Sequence, residues 1–337
     1  MASIFFVSDT RARYHAGLLN VQPLGGIEST NIELGAALAA RGHKVTLATP
    51  TDETVEAHGI CNIPLAQIKD VAADIVITSN NLKPLDQVTK SAAKVLWVHN
   101  PLVIEKLIRK GQMDPLLRHR PHAVFLSQYS RRTTSGLLPL RSRHVIHHGI
   151  GPAFLTPAPS NGAMPYAVWA SEPQRGLPHA IEVWKTHVHP HAPQAQFRIF
   201  GKAAEYLGDK AKGLEAFGIV LEGRQPREKL IALYQQARLF FYPGHMRGGE
   251  TFCLAVAEAE CMGLPVVTSG IACLSERVTH NVDGLISSDD AELGAFIRSL
   301  LGDDAAWHRL HEGALAQRQK LTWENAAIQW EKTFGLS

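Results

Sequence analysis

Long apolar runs are missing from this sequence. None reaches the roughly 18–20 residues that cross a bilayer, and the opening MASIFFVSDTR has no basic segment ahead of its short apolar stretch, as a secretory signal would have. Cysteine is scarce as well. The cysteines follow no C-x-x-C spacing and mostly have apolar or small neighbours, which is typical of buried thiols: Cys61, Cys253, Cys261 and Cys273. We therefore expect a soluble cytosolic protein without disulfides.

A large excess of one charge is also missing. The 34 lysines and arginines nearly balance the 31 aspartates and glutamates, and the net charge of +3 argues against a general nucleic-acid-binding protein. Glycine (27) and proline (19) are close to average, which excludes collagen-like and disordered chains. At roughly 100–200 residues per domain, the 337 residues suffice for two domains with separate cores.

Short, uniformly apolar segments alternate with helical patterns in the first half of the chain. A helix is predicted over residues 27–41, with Gly42 as its stop. The predicted strands are residues 3–8, 44–48, 74–78, 94–98, 123–126 and 144–146. Strands that are apolar on both faces are typical of a parallel sheet covered by helices, so this half is predicted to be a Rossmann-like domain.

The second half repeats this pattern after a linker rich in proline and glycine near residues 151–165. The predicted strands are 166–170, 197–200, 219–221, 239–242 and 265–268, and the predicted helices are 178–185, 227–237, 251–262, 291–301 and 324–334. We therefore expect two doubly wound α/β domains, 1–150 and 151–320, that face each other and bind ligands at the carboxyl ends of their strands. Residues 321–337 are expected to form a helix that packs back on the first domain.

The segment RGGETFCLAVAEAECMGLPVVTSG, residues 247–270, contains the densest group of candidate functional residues. A helix that begins near Thr251 would place Glu250 at its N-terminus and Glu258 two turns on, at a similar azimuth. The preceding Gly-Gly and the helix dipole would present main-chain N–H groups to an anion. Two interpretations stay open at this point: a sugar-nucleotide site, or a helix with an ordinary capping acid and a solvated glutamate.

Two further patterns are weaker. Gly25 and Gly26 precede a helix without the G-x-G-x-x-G spacing, so a nicotinamide site is not predicted, and packing is as good an explanation as phosphate binding. The run HVHPH at residues 187–191 has no nearby cysteine or acid to complete a ligand shell, so we predict no metal site there.

Several segments, in order along nearly the whole chain, resemble the retaining glycosyltransferases of family 4. They are the Glu-x(7)-Glu segment with the Gly-x-Pro-Val-Val strand after it, Asp283-Gly284-Leu285, the N-terminal GG-x-E and RGH-x-V, SEPQRGL at 171–177, HHGIGPAF at 147–154, Phe200-Gly201, and residues 222–244. The resemblance implies the GT-B fold, in which two Rossmann-like domains face each other across the active-site cleft.

The resemblance also implies roles for matching residues. Glu250 would contact hydroxyls of the transferred sugar, and Glu258 would bind the ribose hydroxyls. The N–H groups of Phe252 and Cys253 would hold the diphosphate, with Arg175 paired to the same phosphates.

In the first domain, the resemblance places Gly25 and Gly26 over the phosphates. His99, in VLWVHN directly after a predicted strand, matches the family's active-site histidine, which contacts the donor sugar. From the residues alone, a histidine satisfied in the core is the alternative.

The chain departs from the family pattern in one cation. Where the family usually has an arginine ahead of the Arg175 position, this chain has Trp169 and Ala170. Lys202 or Arg247 is the predicted replacement.

The predicted activity is therefore transfer of a hexose-type sugar from a nucleotide diphosphate sugar to an acceptor hydroxyl with retained configuration, in polysaccharide, glycolipid or glycoconjugate synthesis. Departure of the diphosphate would be stabilised by Arg175 and main-chain amides, without a metal ion or another cofactor. The alternatives are a GT-B sugar-nucleotide epimerase and a non-catalytic sugar-nucleotide-binding protein.

A basic segment adds one more expectation. Residues 104–148 contain nine lysines and arginines but two acids, and Lys106, Arg109 and Lys110 follow a short apolar run. The segment is either a solvated surface or a contact with anionic lipid or a phosphate-bearing acceptor. The second interpretation predicts a cytoplasmic protein held peripherally at the inner membrane face.

Overall fold

The computed structural model describes residues 1–22, 24–88, 91–244 and 249–336, which divide into two compact units. The first unit comprises residues 1–149 together with the stretch from Thr322 onward, and the second is Ile150–Leu321. The predicted domain boundaries, 1–150 and 151–320, differ from these by one residue. The N–H of Ile150 donates to the carbonyl of Leu321 at 2.8 Å, so the two ends of the second unit are hydrogen-bonded to each other.

The first unit is built on a sheet whose strand order is β3-β4-β2-β1-β5-β6-β7-β8. Its strands are β1 (Ser3–Val7), β2 (Lys44–Thr49), β3 (Val55–Ala57), β4 (Ile60–Pro64), β5 (Ala73–Ser79), β6 (Ser91–Val98), β7 (His122–Phe125) and β8 (Ser142–Val145). All described pairs are parallel except β3 with β4. The parallel sheet is confirmed, whereas β3 and β4 were not predicted. β3 is a short, half-exposed edge strand, and β4 is mostly buried but interrupts its apolar residues with Asn62 and ends at Pro64.

Helices of the first unit connect these strands. They are α1 (Gly26–Ala40), α2 (Ile104–Arg109), α3 (Met113–His119) and α4 (Gln128–Thr133). α1 was predicted one residue later at each end, and it stops before Gly42, whose φ of +91° lies outside the helical region.

The second unit has a parallel sheet in the order β11-β10-β9-β12-β13-β14. Its strands are β9 (Tyr166–Ala170), β10 (Gln196–Phe200), β11 (Ile219–Gly223), β12 (Leu239–Phe241), β13 (Val266–Thr268) and β14 (Gly284–Ile286). Its helices are α5 (Pro152–Leu155), α6 (Leu177–Val183), α7 (Ala203–Leu207), α8 (Arg227–Tyr234), α9 (Leu254–Cys261), α10 (Leu274–Arg277), α11 (Asp290–Gly302), α12 (Asp304–Leu315) and α13 (Gln317–Lys320). The strand β14 and the helices α5, α7, α10, α12 and α13 were not predicted.

The last helix, α14 (Trp323–Phe334), packs on the first unit. The Thr322 hydroxyl caps it by accepting from the N–H of Asn325. Trp330 lies against Trp97 of β6, with ring centroids 5.6 Å apart. The Glu331 carboxylate receives a hydrogen bond from Arg41 at 2.7 Å, so apolar and charged contacts together fix α14 on this unit.

Candidate active site

The carboxyl edge of the second sheet gathers the polar residues of the candidate site. Arg175 follows β9, Lys202 follows β10, and Tyr242 comes directly after β12. These three strands are neighbours and parallel, so their carboxyl ends meet at one edge. Ligands of doubly wound folds bind at such an edge.

Glu250 is the centre of this group. Its carboxylate is buried, with 4% of the side chain exposed, and both oxygens have protein partners. Tyr242 Oη donates to Oε1 at 2.6 Å, and Arg175 Nη1 donates to Oε2 at 2.6 Å. Hydrogen bonds to an ionised group are short and strong, so the two partners fix the orientation of the carboxylate.

Tyr242 was missed as a site residue, although a polar residue at the end of the apolar run LFFY is a signal that could have found it. Its ring stacks on Trp169 with centroids 4.7 Å apart. Burial raises the pKa of Tyr242 far above its ordinary value, and Cys253 and Glu250 raise it further. The hydroxyl therefore keeps its proton and acts as a donor to Glu250.

The predicted start of the helix after Glu250 is wrong. α9 begins at Leu254, because the residue before it, Cys253, has the left-handed conformation (φ 62°, ψ 70°) that a right-handed helix cannot contain. Residues 249–253, which we call the Glu250 loop, therefore lie outside the helix. Glu258 is the fifth residue of α9, and the predicted common azimuth of the two glutamates on one helix does not exist.

The structure places the other predicted residues of this unit around the same loop. Phe252 and Cys253 are buried and immediately precede the first turn of α9, which is closed by the N–H of Ala257 on the Cys253 carbonyl. Glu258 is half-buried. The pKa of Tyr234 is raised mainly by the burial of Tyr234, and the charge of Glu258 adds to this rise. The first-turn amides of α9 thus lie beside the loop that holds Glu250.

The cations around the loop differ in exposure. Arg175 is half-exposed, with 50% of its side chain accessible, and a guanidinium carries five N–H donors, so an ion pair through Nη1 is compatible with phosphate binding through the others. Lys202 is exposed at the end of β10. Arg247, the other predicted replacement cation, lies outside the described residues.

In the first unit, Gly25 and Gly26 are exposed at the start of α1, at the carboxyl edge of the sheet. A β-carbon on Gly25 would lie 2.3 Å from Oε2 of Glu28, so a larger residue at this position would displace the Glu28 carboxylate.

His99 directly follows β6 and is buried. The N–H groups of His99 and Asn100 both donate to Oδ1 of Asn80, at 2.9 and 3.0 Å. The His99 ring stacks on that of His148 at 5.2 Å and contacts Trp97 at 4.4 Å. Burial lowers the pKa of His99 to about 3, so its imidazole is neutral in ordinary buffers.

The basic segment is only partly free surface. The Arg143 guanidinium donates to the carbonyls of Thr134 and Ser135, so it has a structural role. On α2, Arg109 is exposed beside Ile108, 63% of which is accessible to solvent, and Lys110 follows the helix.

Cysteines, membrane spans and metal ligands give three short findings. All four cysteines are free thiols, and all but Cys61 are buried. In the described part of the chain, no helix is long and apolar enough to span a bilayer. No group of three or more His, Cys, Asp or Glu side chains in that part is arranged to hold a metal ion.

Comparison with known proteins gives partial sequence matches. Residues 166–303 match the family described as glycosyl transferases group 1. The D-inositol 3-phosphate glycosyltransferase of Corynebacterium aurimucosum is 31% identical over 124 residues, 36% of this chain and 28% of that protein. The O-antigen chain mannosyltransferase B of Escherichia coli is 36% identical over 110 residues, 32% of this chain and 27% of that protein. The matches thus span about a quarter of these relatives' lengths.

Comparison with solved structures covers the whole chain. The Anabaena protein HepE, solved in complex with UDP-glucose, superposes with a TM-score of 0.73 over 100% of both chains, at 16% identity. At that identity the likeness establishes the fold. The chain therefore has the GT-B fold, and its segment 166–303, which carries Arg175, Glu250 and Glu258, matches the group 1 glycosyltransferases.

Proposed function

We propose that this protein transfers a sugar from a nucleoside diphosphate sugar to an acceptor hydroxyl, with retention of configuration at the anomeric carbon. The observation that carries the proposal is the buried Glu250 carboxylate, held by Tyr242 and Arg175 directly before α9. It lies inside the segment that matches glycosyltransferases. A donor of this class is also the kind of ligand that HepE holds.

The arrangement suits electrostatic catalysis of leaving-group departure. In this proposal, Arg175 and the amides of Phe252 and Cys253 bind the diphosphate, where the N-terminal end of α9 adds positive potential. Each carboxylate oxygen has a second lone pair, so Glu250 can still accept a hydrogen bond from a hydroxyl of the sugar. Glu258 would bind the ribose hydroxyls. No metal ion or other cofactor is required by this mechanism.

Retention is the finer part of the proposal. Both oxygens of Glu250 accept strong hydrogen bonds, which makes this carboxylate a poor nucleophile. We therefore propose front-face attack by the acceptor, assisted by the departing phosphate, through an oxocarbenium-like state. The reaction would serve the synthesis of a polysaccharide, a glycolipid or another glycoconjugate.

The proposal also gives roles to uncharged groups of the first unit. We assign His99 a hydrogen-bonding role toward the sugar rather than proton transfer, because its lowered pKa keeps it uncharged. Gly25 and Gly26 expose main-chain N–H groups that would bind phosphate.

The test is a panel of UDP-, GDP- and ADP-sugars with the full-length protein. A donor at 100 times its Kd should stabilise the fold by about 2.7 kcal/mol, and the same donor should then be hydrolysed slowly or transferred. Glu250→Gln should bind the free nucleoside diphosphate but lose turnover. Binding without turnover in the wild type would favour a binding protein, and interconversion of donor sugars would favour an epimerase. Absence of binding to all three classes would refute the proposal.

We also propose that α2 contacts anionic lipid, which would place the protein peripherally at a membrane. Val103 and Ile108 are large apolar residues with 45% and 63% exposure, and the basic residues Lys106, Arg109 and Lys110 lie in the same stretch. Each cation near an anionic surface adds about 1 kcal/mol, and salt weakens this attraction. The apolar pair is too short to anchor the protein alone.

Co-sedimentation with vesicles tests this contact. Binding should require anionic lipid, fall at high salt, and drop when the three α2 cations are replaced by serine. The matched control replaces three exposed cations of the second unit, Lys210, Arg224 and Lys229, and should bind as the wild type does. Equal sedimentation with neutral and anionic vesicles would contradict the proposal.

A further inference from the structure

Glu260 is a buried carboxyl group that the proposed mechanism does not use. It lies on α9 with no exposed surface, and neither of its oxygens has a hydrogen-bond partner among the described residues. A buried carboxyl without hydrogen bonds lowers stability. The neighbouring helix residues Ala257, Ala259 and Cys261 are also buried, so an apolar residue would suit this position better.

The nearest charge to Glu260 is Arg277, the last residue of α10. Arg277 Nη1 lies 3.8 Å from Glu260 Oε2, and 9% of the arginine side chain is exposed. No described residue forms a hydrogen bond with the Nη1 atom. The distance is too long for a hydrogen bond, so the pair joins α9 to α10 by charge attraction when Glu260 is ionised.

Arg277 also contacts Phe252 of the Glu250 loop. Its guanidinium carbon lies 4.9 Å from the ring centroid of Phe252, which is within cation–π range and is strongest when the pair is desolvated, as here. Phe252 precedes Cys253, whose left-handed φ of 62° is unfavourable for a residue with a side chain. Such a conformation persists when its surroundings hold it.

Cys273 gives a second link between α10 and this loop. Burial is the main cause that raises the pKa of the Cys273 thiol, and the charge of Glu250 is the next. Cys273 in turn contributes to raising the pKa of Cys253. Cys273, the residue directly before α10, is therefore within electrostatic range of Glu250 and Cys253 in this loop.

We propose that Arg277, held by Glu260, is a positioning residue that fixes Phe252 and thereby keeps the main chain of the Glu250 loop in its phosphate-binding conformation. The proposal rests on the proposed function, since it assigns Arg277 to the donor site without direct contact to the donor. It explains why a buried charge pair stands where apolar packing would be more stable. The structure of the loop, rather than overall stability, depends on the pair.

A double variant separates these two effects. Replacing a buried ion pair by apolar side chains of similar volume is often neutral or stabilising, so Glu260→Met with Arg277→Met should unfold at the wild-type temperature or above. The Kd of the nucleoside diphosphate that the wild type binds, chosen by calorimetry from UDP, GDP and ADP, should rise about tenfold, which corresponds to 1.4 kcal/mol. Arg277→Lys keeps the charge but loses the planar face and should also weaken binding.

The control is another ion pair of the second unit, Arg238 with Asp304 at 2.7 Å. Asp304→Asn should leave the Kd unchanged, whatever it does to the unfolding temperature. An unchanged Kd in both the double variant and Arg277→Lys would overturn the positioning role. If the double variant does not fold, Arg277→Lys decides alone. A wild type that binds none of the three nucleotides would refute the proposed function, and this role with it.

Glu260→Gln adds a measurement that a purely structural role would not affect. The pKa of Glu260 is raised to about 8, chiefly by burial; Arg277 opposes the rise, Asp283 adds to it, and Lys320 opposes it. Above that pH the ionised carboxylate should hold Arg277 more firmly beside Phe252, so the wild-type Kd should fall between pH 7 and 9 while that of Glu260→Gln changes less. An identical pH dependence in the two proteins would remove Glu260 from the proposal.

Discussion

The hydroxyl of Tyr242 should contribute more to the free energy of unfolding than an ordinary buried hydroxyl, because it donates to a carboxylate. Tyr242→Phe keeps the ring that stacks on Trp169 and removes the 2.6 Å hydrogen bond to Glu250 together with the hydroxyl's interaction with Ser171. Glu250 remains buried with Arg175 as its remaining described partner. The carboxylate would thus lose one of its two described hydrogen bonds without gaining water.

The second unit provides a matched comparison in Tyr166. Its hydroxyl is partly buried and donates to the neutral carbonyl of Leu233 at 3.0 Å. A hydrogen bond to a charged group contributes about 1.5–3 kcal/mol, against about 0.5–1.5 kcal/mol between neutral groups. Tyr242→Phe should therefore cost roughly twice as much unfolding free energy as Tyr166→Phe. For a unit of this size, a loss of 2 kcal/mol lowers Tm by about 4–8 °C.

Urea unfolding and scanning calorimetry of the two variants measure this difference. Donor turnover supplies the second readout: Tyr242→Phe should slow it because Glu250 can rotate, whereas Tyr166→Phe should not. Equal stability losses, or a Tyr242→Phe variant with wild-type turnover, would refute the view that the hydroxyl orients an ionised carboxylate.

Three further predictions concern other parts of the candidate site. Arg175→Ala should reduce turnover by about 10²–10³-fold, the usual loss when one preorganised donor is removed. Its Tm should change little because the arginine is half-exposed. Arg175→Lys should recover part of the activity, and an effect of only a few-fold in the alanine variant would contradict the role of Arg175. Glu258→Ala should weaken binding of the free nucleoside diphosphate by about 1.5–3 kcal/mol, measured by calorimetry, and equal affinity would remove the ribose assignment. Burial lowers the pKa of His99 to about 3 and that of His148 well below its ordinary value, so below pH 6.5 the unfolded chain binds protons that the folded chain does not. The free energy of unfolding should therefore be highest above pH 6.5 and fall toward pH 4 by up to about 1.4 kcal/mol per pH unit for each histidine. A flat profile of urea unfolding over this pH range would contradict their neutral burial.

Buried parallel strands were the most predictable part of the fold. β9 has the predicted bounds, and β1 differs by one residue at its end, because strands covered on both faces must be apolar throughout. The start of α9 was not predictable in this way. The residues after Cys253 are mostly good helix formers, such as Leu254 and Ala255, and nothing in their order marks Cys253 as a residue of left-handed conformation.

The candidate site was predictable in its members but not in its contacts. Arg175 and Glu250 are 75 residues apart, and no spacing rule relates such distant positions; the sheet order brings them together. Tyr242 was missed because its neighbours LFF made it read as the last residue of a strand. The roles of these residues toward a donor remain predictions.

The first unit is assembled from two stretches that are far apart in sequence, and this affects how it is made. Its strands are complete at Val145, but Trp323 and Trp330, which contact His148 and Trp97, are translated only after the whole second unit. At ~5–20 residues per second this interval lasts roughly 10–40 s.

During that interval the nascent chain exposes the surface that α14 later covers. The His148 ring then lacks its contact with Trp323, and its lowered pKa should move back toward that of free histidine, because burial is the first cause of the lowering. The ribosome therefore delivers the strands of the first unit well before it delivers the helix that covers His148. A nascent chain stalled before Thr322 would carry a pH-sensitive, chaperone-accessible surface that the finished protein lacks.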